Sequence, residues 1–584
     1  MTTKLYKEHK TFPNSHTMIT ELTPQITPQL MEILTKKYYI SSYPKTVGKL
    51  VRNNEITNTP GAFFGDEGKG KIIAALSNDE LIKMLIKANS GENQGHTQYI
   101  NGIKYVFALM PSGIFKKKLI NAIGPECVFD PISFMEREVS QLLKNNIPYD
   151  NLYIGNVHIV TPYHKIIDKI ANPKNSSTLK GMSPAHISKV WKRGLRLDDL
   201  FNDKKEQKKI IEKDIELYNM MLKYKKITEK QIIKDFLKDE KKGRKTPKHI
   251  YGFLAAKDKA KYLVNLYEKE VKNNKLFPKR ADVNYMARQV LKKGGKILIE
   301  PAQAYNLSNG VETHWKSSTS AQTHSAGTIA SCLVNSQKYK ILTINVQKGP
   351  ISSRVGIGAN PSGFVSQSYF SEQDMDTSKE LEGKCTDFNA IQKMFFECIS
   401  PNGILVSKMY KDKDGKKYPI NEAMAIASST FFGELGSTTG KPRVTGLFDC
   451  LAHKQVMDVQ GPYTLISAMD RGDYLDKIGL VVAYKYVGNK VIDCNGIKYK
   501  KGHIIRINDQ YPNERVLKYC IPIIKVISGW KNHPINAEKR NKNDPLPKEV
   551  QNYIGTIDRL CGSETIVIGN GKETENLIYL KQVA

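Results

Sequence analysis

The chain has 584 residues, of which 40% are hydrophobic and 25% charged, so it can bury one large core or two to three smaller ones. No apolar run is long enough to span a bilayer, and the N-terminus lacks the apolar segment of a secretory signal. These features exclude a membrane-embedded chain and predict a cytoplasmic protein.

The 89 Lys and Arg residues exceed the 58 Asp and Glu residues by 31, which suits an anionic partner such as a nucleotide or a nucleic acid. The lysines are interspersed with acids, as in solvated surface, and no RNA-binding motif is present, so nucleic acid binding is the weaker interpretation. The eight cysteines form no C-x-x-C pair, which indicates buried reduced thiols.

The first half of the chain predicts an N-terminal extension followed by alternating loops, helices and strands. Residues 1–57 contain one short helical pattern, PQLMEILTKKYYI, ahead of a main domain at 58–584. GDEGKGKIIAAL predicts a glycine loop opening a helix, NGIKYVFALMPSG a strand, and ECVFDPISFMEREVSQLL a strand entering a helix. This alternation indicates α/β layers. Lysine-rich sequence with a helical period predicts an insertion at about 201–290.

The second half predicts further buried strands at KILIEPAQ (296–303) and YKILTINVQKG (339–349). A loop-rich stretch predicts a second insertion at about 359–430, with a hairpin at KDKDGKKY. Strands at VVAYKY and VIDCNGIKYKKGHIIRI precede a last amphipathic helix, PKEVQNYIGTIDRL.

Two short motifs carry the chemistry. GDEGKGK (65–71) half-matches a phosphate-binding loop, but Ile72 replaces the usual metal-binding hydroxyl and two acids, Asp66 and Glu67, lie inside the loop. In NSGENQGHT (89–97), glycines flank Asn93 and His96, so the backbone can approach a ligand. A histidine alone is a weak signal of function, but beside GDEGKGK it indicates a ligand site.

Landmarks in fixed order then resemble the adenylosuccinate synthetase family over about 60–580: GDEGKGK, NQGHT, NGIKYVFALMPSGI, KGMSPAHISKVWKRGLRLDDL, EPAQ, SSRVGIG, ELGSTTGKPRVTGLFD and LPKEVQNYIGTIDRLCG. The resemblance implies one large α/β domain with a central, mostly parallel sheet flanked by helices around a P-loop-like core, and a homodimer. It also implies a Mg²⁺-dependent ligase that moves the γ-phosphoryl of GTP to O6 of inosine monophosphate (IMP). The amino group of L-aspartate then displaces that phosphate, giving adenylosuccinate.

The same resemblance implies roles for individual residues. Asp66 would remove the proton from N1 of IMP and, with the Gly95 carbonyl, bind Mg²⁺, while His96 and Lys71 would stabilise the charge of the transferred phosphoryl group. The implied triphosphate contacts are Gly65, Glu67, Gly68, Lys69, Gly70, Lys71, Gly95, Thr97, Arg443 and Asp470. The implied monophosphate contacts are Asp66, Asn93, Thr178, Lys180, Lys192, Gln303, Lys316 and Ser317, and the aspartate contacts are Val355, Thr438, Thr439 and Lys441.

Departures from the family pattern leave alternatives open. Lysines at 180, 192 and 441 replace arginines, which keeps the charge but loses the bidentate fork. The family reads guanine with Thr-Lys-x-Asp, whereas this chain has SAMD (467–470), so both GTP and ATP remain possible donors. A viral branch acts on dGMP and usually has a small residue in place of the loop aspartate, so Asp66 favours IMP. A catalytically silent nucleotide-binding scaffold is the remaining alternative.

Overall fold

A computed structural model describes residues 37–100, 102–171, 178–241, 245–436, 440–541 and 544–583. Its strands are β1 Lys37–Ser41, β2 Ile56–Asn58, β3 Ile82–Lys87, β4 His96–Ile100, β5 Ile103–Phe107, β6 Ile120–Ile123, β7 Val128–Phe129, β8 Leu152–Ile154, β9 His158–Ile159, β10 Lys279–Arg280, β11 Lys296–Glu300, β12 Ile341–Thr343, β13 Asn345–Lys348, β14 Ile351–Ser353, β15 Met409–Lys411, β16 Lys417–Pro419, β17 Thr445–Asp449, β18 Tyr463–Ser467, β19 Lys477–Tyr486, β20 Ile492–Cys494, β21 Ile497–Tyr499, β22 Ile504–Arg506, β23 Cys520–Ser528, β24 Glu564–Gly569 and β25 Leu577–Val583.

The α-helices of the same residues are α1 Val47–Asn53, α2 Lys69–Leu76, α3 Pro131–Phe134, α4 Ser140–Lys144, α5 Pro162–Ala171, α6 Met182–Val190, α7 Lys204–Lys225, α8 Glu229–Lys241, α9 Lys248–Ala255, α10 Lys259–Tyr267, α11 Val283–Lys292, α12 Ser325–Ser331, α13 Tyr369–Glu372, α14 Ser378–Leu381, α15 Phe388–Glu397, α16 Ile420–Phe431, α17 Cys450–Gln460, α18 Glu514–Leu517 and α19 Lys548–Cys561. Short 3-10 or π-helical turns lie at Tyr43–Lys45, Met135–Val139, Leu197–Phe201, Glu268–Lys272, Tyr305–Leu307, Glu312–Ser317 and Met469–Tyr474.

The central sheet is parallel over seven strands, in the order β10-β8-β6-β3-β11-β2-β12. Only Ile344 separates β12 from β13, and β13 pairs in parallel with β18. The sheet therefore continues through 341–348 into β18-β24-β25-β1, where the last two pairings are antiparallel. The predicted α/β class with a central, mostly parallel sheet is confirmed.

Successive apolar side chains of the central strands point to opposite faces of the sheet, which explains why helices cover both faces. Leu85 of β3 and Leu298 of β11 pack with α1 and α2 on one face, in a cluster that contains Ile72. Their neighbours Met84 and Ile297 pack with α11 on the other face. Strands buried on both faces need near-continuous apolar sequence, which is what these segments supply.

The lysine-rich segment forms α7 to α10, which pack with α3 to α5 around a separate apolar cluster that includes Tyr218 and Phe253. The 359–430 segment contains α13 to α15 and the β15–β16 hairpin, as KDKDGKKY predicts. The helical content and the hairpin are confirmed, whereas the domain boundaries stay predictions.

One expectation about the N-terminal segment is wrong. In the pattern PQLMEILTKKYYI, residues 28–36 lie outside the described residues, and the KYYI end belongs to strand β1 rather than to a helix. Strand β1 pairs antiparallel with β25, and the buried Tyr38 donates from its hydroxyl to Asp558 Oδ2 at 2.6 Å. Tertiary pairing thus overrides the local helical pattern.

The rest of the described chain adds two simpler observations. All eight cysteines are unpaired, and all but Cys520 are buried. Among the described helices, none is both long and apolar enough to cross a membrane.

Candidate active site

A cleft of about 890 Å³ lies where the loops that follow the parallel strands meet. It is lined by residues after β2, β3, β11, β13, β18 and β24, the carboxyl-end position at which open α/β sheets bind ligands. The predicted site residues that line it are Gly65, Asp66, Glu67, Gly68, Lys69, Gly70, Lys71, Asn93, Gly95, His96, Thr97, Thr178, Gln303, Val355, Arg443 and Asp470.

The glycine loop is built from left-handed backbone. Gly65, Asp66 and Gly68 have φ values of 88°, 59° and 81°, and α2 begins directly afterwards at Lys69. Glycine adopts such angles without strain, whereas an aspartate there is uncommon. Ile72, which stands where a Ser or Thr is expected, is fully buried and packs in one apolar cluster with Leu85 and Leu298 of the central sheet.

The Glu67 carboxylate is buried and bound by backbone N–H groups, which explains why a loop for anions tolerates it. Its carboxylate accepts from the backbone N–H of Gly65 at 2.7 Å and of Phe63 at 3.2 Å. A Cβ on Gly61 would lie 2.6 Å from Glu67 Oε2, so only glycine fits there. Glu67 therefore fixes the turn, and Lys69 Nζ lies 3.3 Å from its Oε2.

Asp66 faces the cleft with 37% of its side chain exposed, beside two cations. Arg443 Nη1 lies 2.8 Å and Lys348 Nζ 3.9 Å from Asp66 Oδ2. Lys348, which the sequence did not single out, also donates to the buried Glu434 at 2.8 Å. The accessible Asp66 carboxylate and the Gly95 backbone, which line the same cleft, offer hard oxygen donors of the kind that suit a Mg²⁺ ion that also binds phosphate oxygens.

His96 begins β4, and its Nε2 is buried with no hydrogen-bond partner in the described residues. Burial, assisted by Lys87, lowers the pKa of His96 to about 3. Its imidazole is therefore neutral at pH 7, with one nitrogen able to donate and the other to accept. Lys87 pairs with Glu300 at 2.7 Å in the same cleft wall, and neither was predicted as a site residue.

The predicted monophosphate contacts separate into two groups. Asn93, Thr178 and Gln303 line the cleft, and Gln303 Oε1 is buried with no hydrogen-bond partner in the part of the chain that the structure describes. Asn93 Nδ2 donates to Thr319 Oγ1 at 3.3 Å, which places Thr319 beside the subsite although the sequence did not identify it.

The other predicted monophosphate contacts lie away from the cleft lining. Lys180 Nζ lies 4.0 Å from the buried Glu92, and burial lowers the pKa of Lys180 to about 8. Lys192 and Lys316 are exposed, and Ser317 donates to Glu514 at 2.9 Å.

The predicted aspartate contacts are only partly described. Val355 lines the cleft next to Gly65. Thr438 and Thr439 lie outside the described residues. Lys441 Nζ lies 3.1 Å from Asp376 Oδ2, away from the cleft lining.

At the other end of the cleft, Asp470 lies among small residues. Burial raises the pKa of Asp470, and the neighbouring Ala468 is in the left-handed region. Lys71 Nζ donates to the carbonyls of Gly571 and Asn576, at 2.8 Å each, so it ties α2 to the segment after β24. Burial lowers the pKa of Lys71 to about 8.

A glycine loop opening a helix at the carboxyl ends of parallel strands, surrounded by lysine and arginine, defines a nucleotide-binding α/β protein. The comparisons with known proteins identify its family. Residues 60–578 match the family model described as adenylosuccinate synthetase. The chain is 48% identical over 568 residues to adenylosuccinate synthetase of Trypanosoma brucei brucei, covering 95% of this chain and 94% of the relative.

Two further similarities agree. The chain is 46% identical over 569 residues to adenylosuccinate synthetase 2 of Trypanosoma cruzi, covering 95% of this chain and 92% of that one. Its fold matches the fully ligated adenylosuccinate synthetase from Plasmodium falciparum with a TM-score of 0.62 at 23% identity, over 90% of this chain and 100% of that chain. The chain therefore belongs to the adenylosuccinate synthetase family.

Proposed function

We propose that this chain joins L-aspartate to C6 of IMP with hydrolysis of GTP, giving adenylosuccinate through a 6-phosphoryl intermediate. Membership of the family makes it a ligase that forms a C–N bond. The observation that carries the proposal is that Asp66, His96, Asn93 and Gln303, which are distant in sequence, line one cleft together with the glycine loop.

The first step needs a base and charge stabilisation. O6 of IMP becomes a nucleophile when the exposed carboxylate of Asp66 takes the N1 proton, and O6 then attacks the γ-phosphorus as GDP leaves. The neutral ring of His96 donates to the transferred phosphoryl group, and Arg443 adds positive charge beside it. A Mg²⁺ ion held by Asp66 and the Gly95 carbonyl would neutralise charge on the phosphates.

In the second step the amino group of aspartate attacks C6, and phosphate leaves with the C6–O6 bond pair. We place the carboxylates of aspartate against Val355, Thr438, Thr439 and Lys441. Gln303, Asn93 and Thr178 hold the monophosphate, with Thr319 added to this group because Asn93 contacts it.

The remaining monophosphate residues and the assembly stay proposals. Lys180 approaches the phosphate of IMP from the segment after Thr178, and Lys316 and Ser317 stay predictions. We also propose a homodimer, because Lys192 follows an α6 end at which Val190 and Trp191 expose apolar surface. A cytoplasmic location stays a prediction.

The geometry favours this reaction over its alternatives. Asp66 is retained and accessible, which favours IMP over dGMP. A catalytically silent scaffold does not explain why His96 Nε2 is buried with no hydrogen-bond partner among the described residues. The Asp470 carboxylate suits guanine, which presents two N–H donors at one edge, so GTP is the favoured donor over ATP.

Phosphate release in the presence of L-aspartate and Mg²⁺ tests the proposal, with IMP and dGMP crossed against GTP and ATP. We expect turnover with IMP and GTP that disappears in Asp66→Ala. Turnover only with dGMP would identify the viral-type reaction, and no turnover in any combination would favour the scaffold.

A further inference from the structure

Three aromatic rings, of which one is exposed and two are half-buried, form one wall of the cleft on the side of Asp470. Phe431 closes α16 with 46% of its surface exposed, and it lines the cleft together with Phe432 and the half-buried Tyr474. A large exposed ring inside a cleft leaves apolar surface that a ligand can cover.

Three other rings hold Phe431 in place. It stacks on the buried Phe388 with centroids 4.6 Å apart and an interplanar angle of 11°. The rings of Tyr474 and Phe432 meet it nearly perpendicularly, with centroids at 4.9 Å and 5.1 Å. Because its neighbours fix the ring, a flat ligand meets a preorganised surface and orders little on binding.

A hydrogen-bonding group for a heterocycle lies beside this wall. Tyr474 ends the short helix Met469–Tyr474, whose second residue is Asp470. Asn536 and Glu538 line the same end, and Gly569 and Gly571 contribute no side chains there. Aromatic rings, small residues and a carboxylate together suit a planar base with N–H donors at its edge.

We propose that Phe431 and Tyr474 are the surface on which the purine base of the phosphoryl donor stacks, while Asp470 reads the edge of that base. The inference rests on the proposed function and adds to it the source of affinity for the donor. The base of the donor is the occupant, because Lys71 links this end of the cleft to the helix that opens from the glycine loop. Asn93, Thr178 and Gln303 belong to the monophosphate subsite.

Stacking and edge recognition predict different signatures. Every purine has a π face, so loss of the Phe431 ring should weaken the binding of GTP and of ATP by a similar factor, about 5- to 100-fold. Loss of the Asp470 carboxylate should weaken the binding of GTP but not of ATP, because adenine lacks the N–H donors that guanine presents to this carboxylate. This contrast separates the roles of the two groups.

The test measures KM for GTP, ATP, IMP and aspartate in Phe431→Ala, Phe431→Tyr and Asp470→Asn. We expect Phe431→Ala to raise KM for both triphosphates alone, Phe431→Tyr to restore it, and Asp470→Asn to raise KM for GTP alone. Tyr224→Ala is the matched control, since Tyr224 is 78% exposed on helix α7 and does not line the cleft. A Phe431→Ala effect on IMP or aspartate instead of the donor would overturn the proposal.

Calorimetric titration with GDP and ADP separates failure of this inference from failure of the proposed reaction. If the wild type shows no turnover, the proposed function fails, and the titration still tests the wall. Equal GDP affinity in the wild type and Phe431→Ala would refute it. If Phe431→Ala melts at a lower temperature, Phe431→Leu keeps the apolar volume, and loss of GDP affinity in that variant supports stacking.

Discussion

At the scale of single residues, Asp66 carries the clearest expectation. Asparagine keeps the shape of the side chain between Arg443 and Lys348 but cannot accept a proton. We therefore expect Asp66→Asn to lower kcat by about 10²- to 10⁴-fold, the usual contribution of a general base. Steady-state phosphate release measures kcat, and GDP titration checks that the donor still binds. Retention of more than a tenth of the wild-type kcat would remove Asp66 from the role of base.

The motifs predicted only part of this site, because a motif reveals residues that are close in sequence and not those that the fold brings together from distant segments. GDEGKGK and NQGHT are each a continuous stretch of sequence, so their glycines indicate local loops. Residues of both loops do line the cleft. Lys87 and Lys348 are ordinary strand residues, and only the order of β3 and β13 in the sheet brings them to the same wall. Glu67 shows the converse, because backbone N–H groups bind a side chain that the motif assigns to phosphate contact.

At the scale of elements, strand β1 shows what a local pattern cannot reveal. KYYIS becomes a strand only because β25, more than 500 residues later, offers an unpaired edge. The buried strands and helices between them could be predicted, since their apolar periodicity reflects their own burial. The pairing of chain ends depends on a distant partner and leaves no local signal.

Tyr38 tests how firmly β1 is attached. Its hydroxyl donates at 2.6 Å to Asp558, a carboxylate of α19 that also accepts from Ser563 and Thr565. We expect Tyr38→Phe to lower the free energy of unfolding by about 1–3 kcal/mol, the contribution of one hydrogen bond to a buried carboxylate that keeps its other donors. Urea unfolding measures it, with Tyr39→Phe as control because Tyr39 is 52% exposed. Identical unfolding midpoints for the two variants would contradict the prediction.

The loop after α16 is held by the buried carboxylate of Glu434. It accepts from Lys348 at 2.8 Å and from Arg471, whose guanidinium also donates to the Ile351 carbonyl at 2.8 Å. Burial alone would raise the pKa of Glu434, but Lys348 and Arg471 outweigh it and hold the pKa well below its ordinary value. The three side chains therefore behave as one unit.

Glu434→Gln removes the buried negative charge that Lys348 and Arg471 share, and it should lower the free energy of unfolding by about 3–5 kcal/mol. The double variant Glu434→Gln with Arg471→Met should lose less than the sum of the single variants, because one unpaired cation is removed. Urea unfolding of the four proteins measures this coupling. Strict additivity would show that the Glu434 carboxylate does not couple to Arg471.

At the scale of the whole molecule, buried imidazoles should make stability fall in acid. Burial lowers the pKa of His96, His158 and His453 to about 3 and that of His186 to about 4. Below pH 6.5 the unfolded chain binds protons that these folded imidazoles do not, so each one lowers the free energy of unfolding by an amount that approaches about 1.4 kcal/mol per pH unit well below pH 6.5. Their contribution is complete above pH 6.5.

Buried carboxyl groups act in the opposite sense; among them, burial raises the pKa of Glu138 to about 7 and of Asp473 to about 6. Each binds a proton in the folded chain that the unfolded chain lacks, so its contribution grows as the pH falls toward its unfolded pKa. Between pH 6.5 and 5.5 these two carboxyls therefore offset part of the stability that the imidazoles remove.

A single variant isolates one imidazole from this balance. His453 lies outside the cleft lining, with Nδ1 against Gln347 Oε1, so His453→Gln removes one titrating group without touching the site. We expect the fall in the free energy of unfolding between pH 6.5 and 5.5 to shrink by about 1 kcal/mol relative to the wild type, because the unfolded imidazole is already half protonated at pH 6.5. Urea unfolding at the two pH values measures the fall, with His533→Gln as control because that side chain is 61% exposed. An unchanged fall in His453→Gln would show that His453 already binds its proton in the folded chain above pH 5.5.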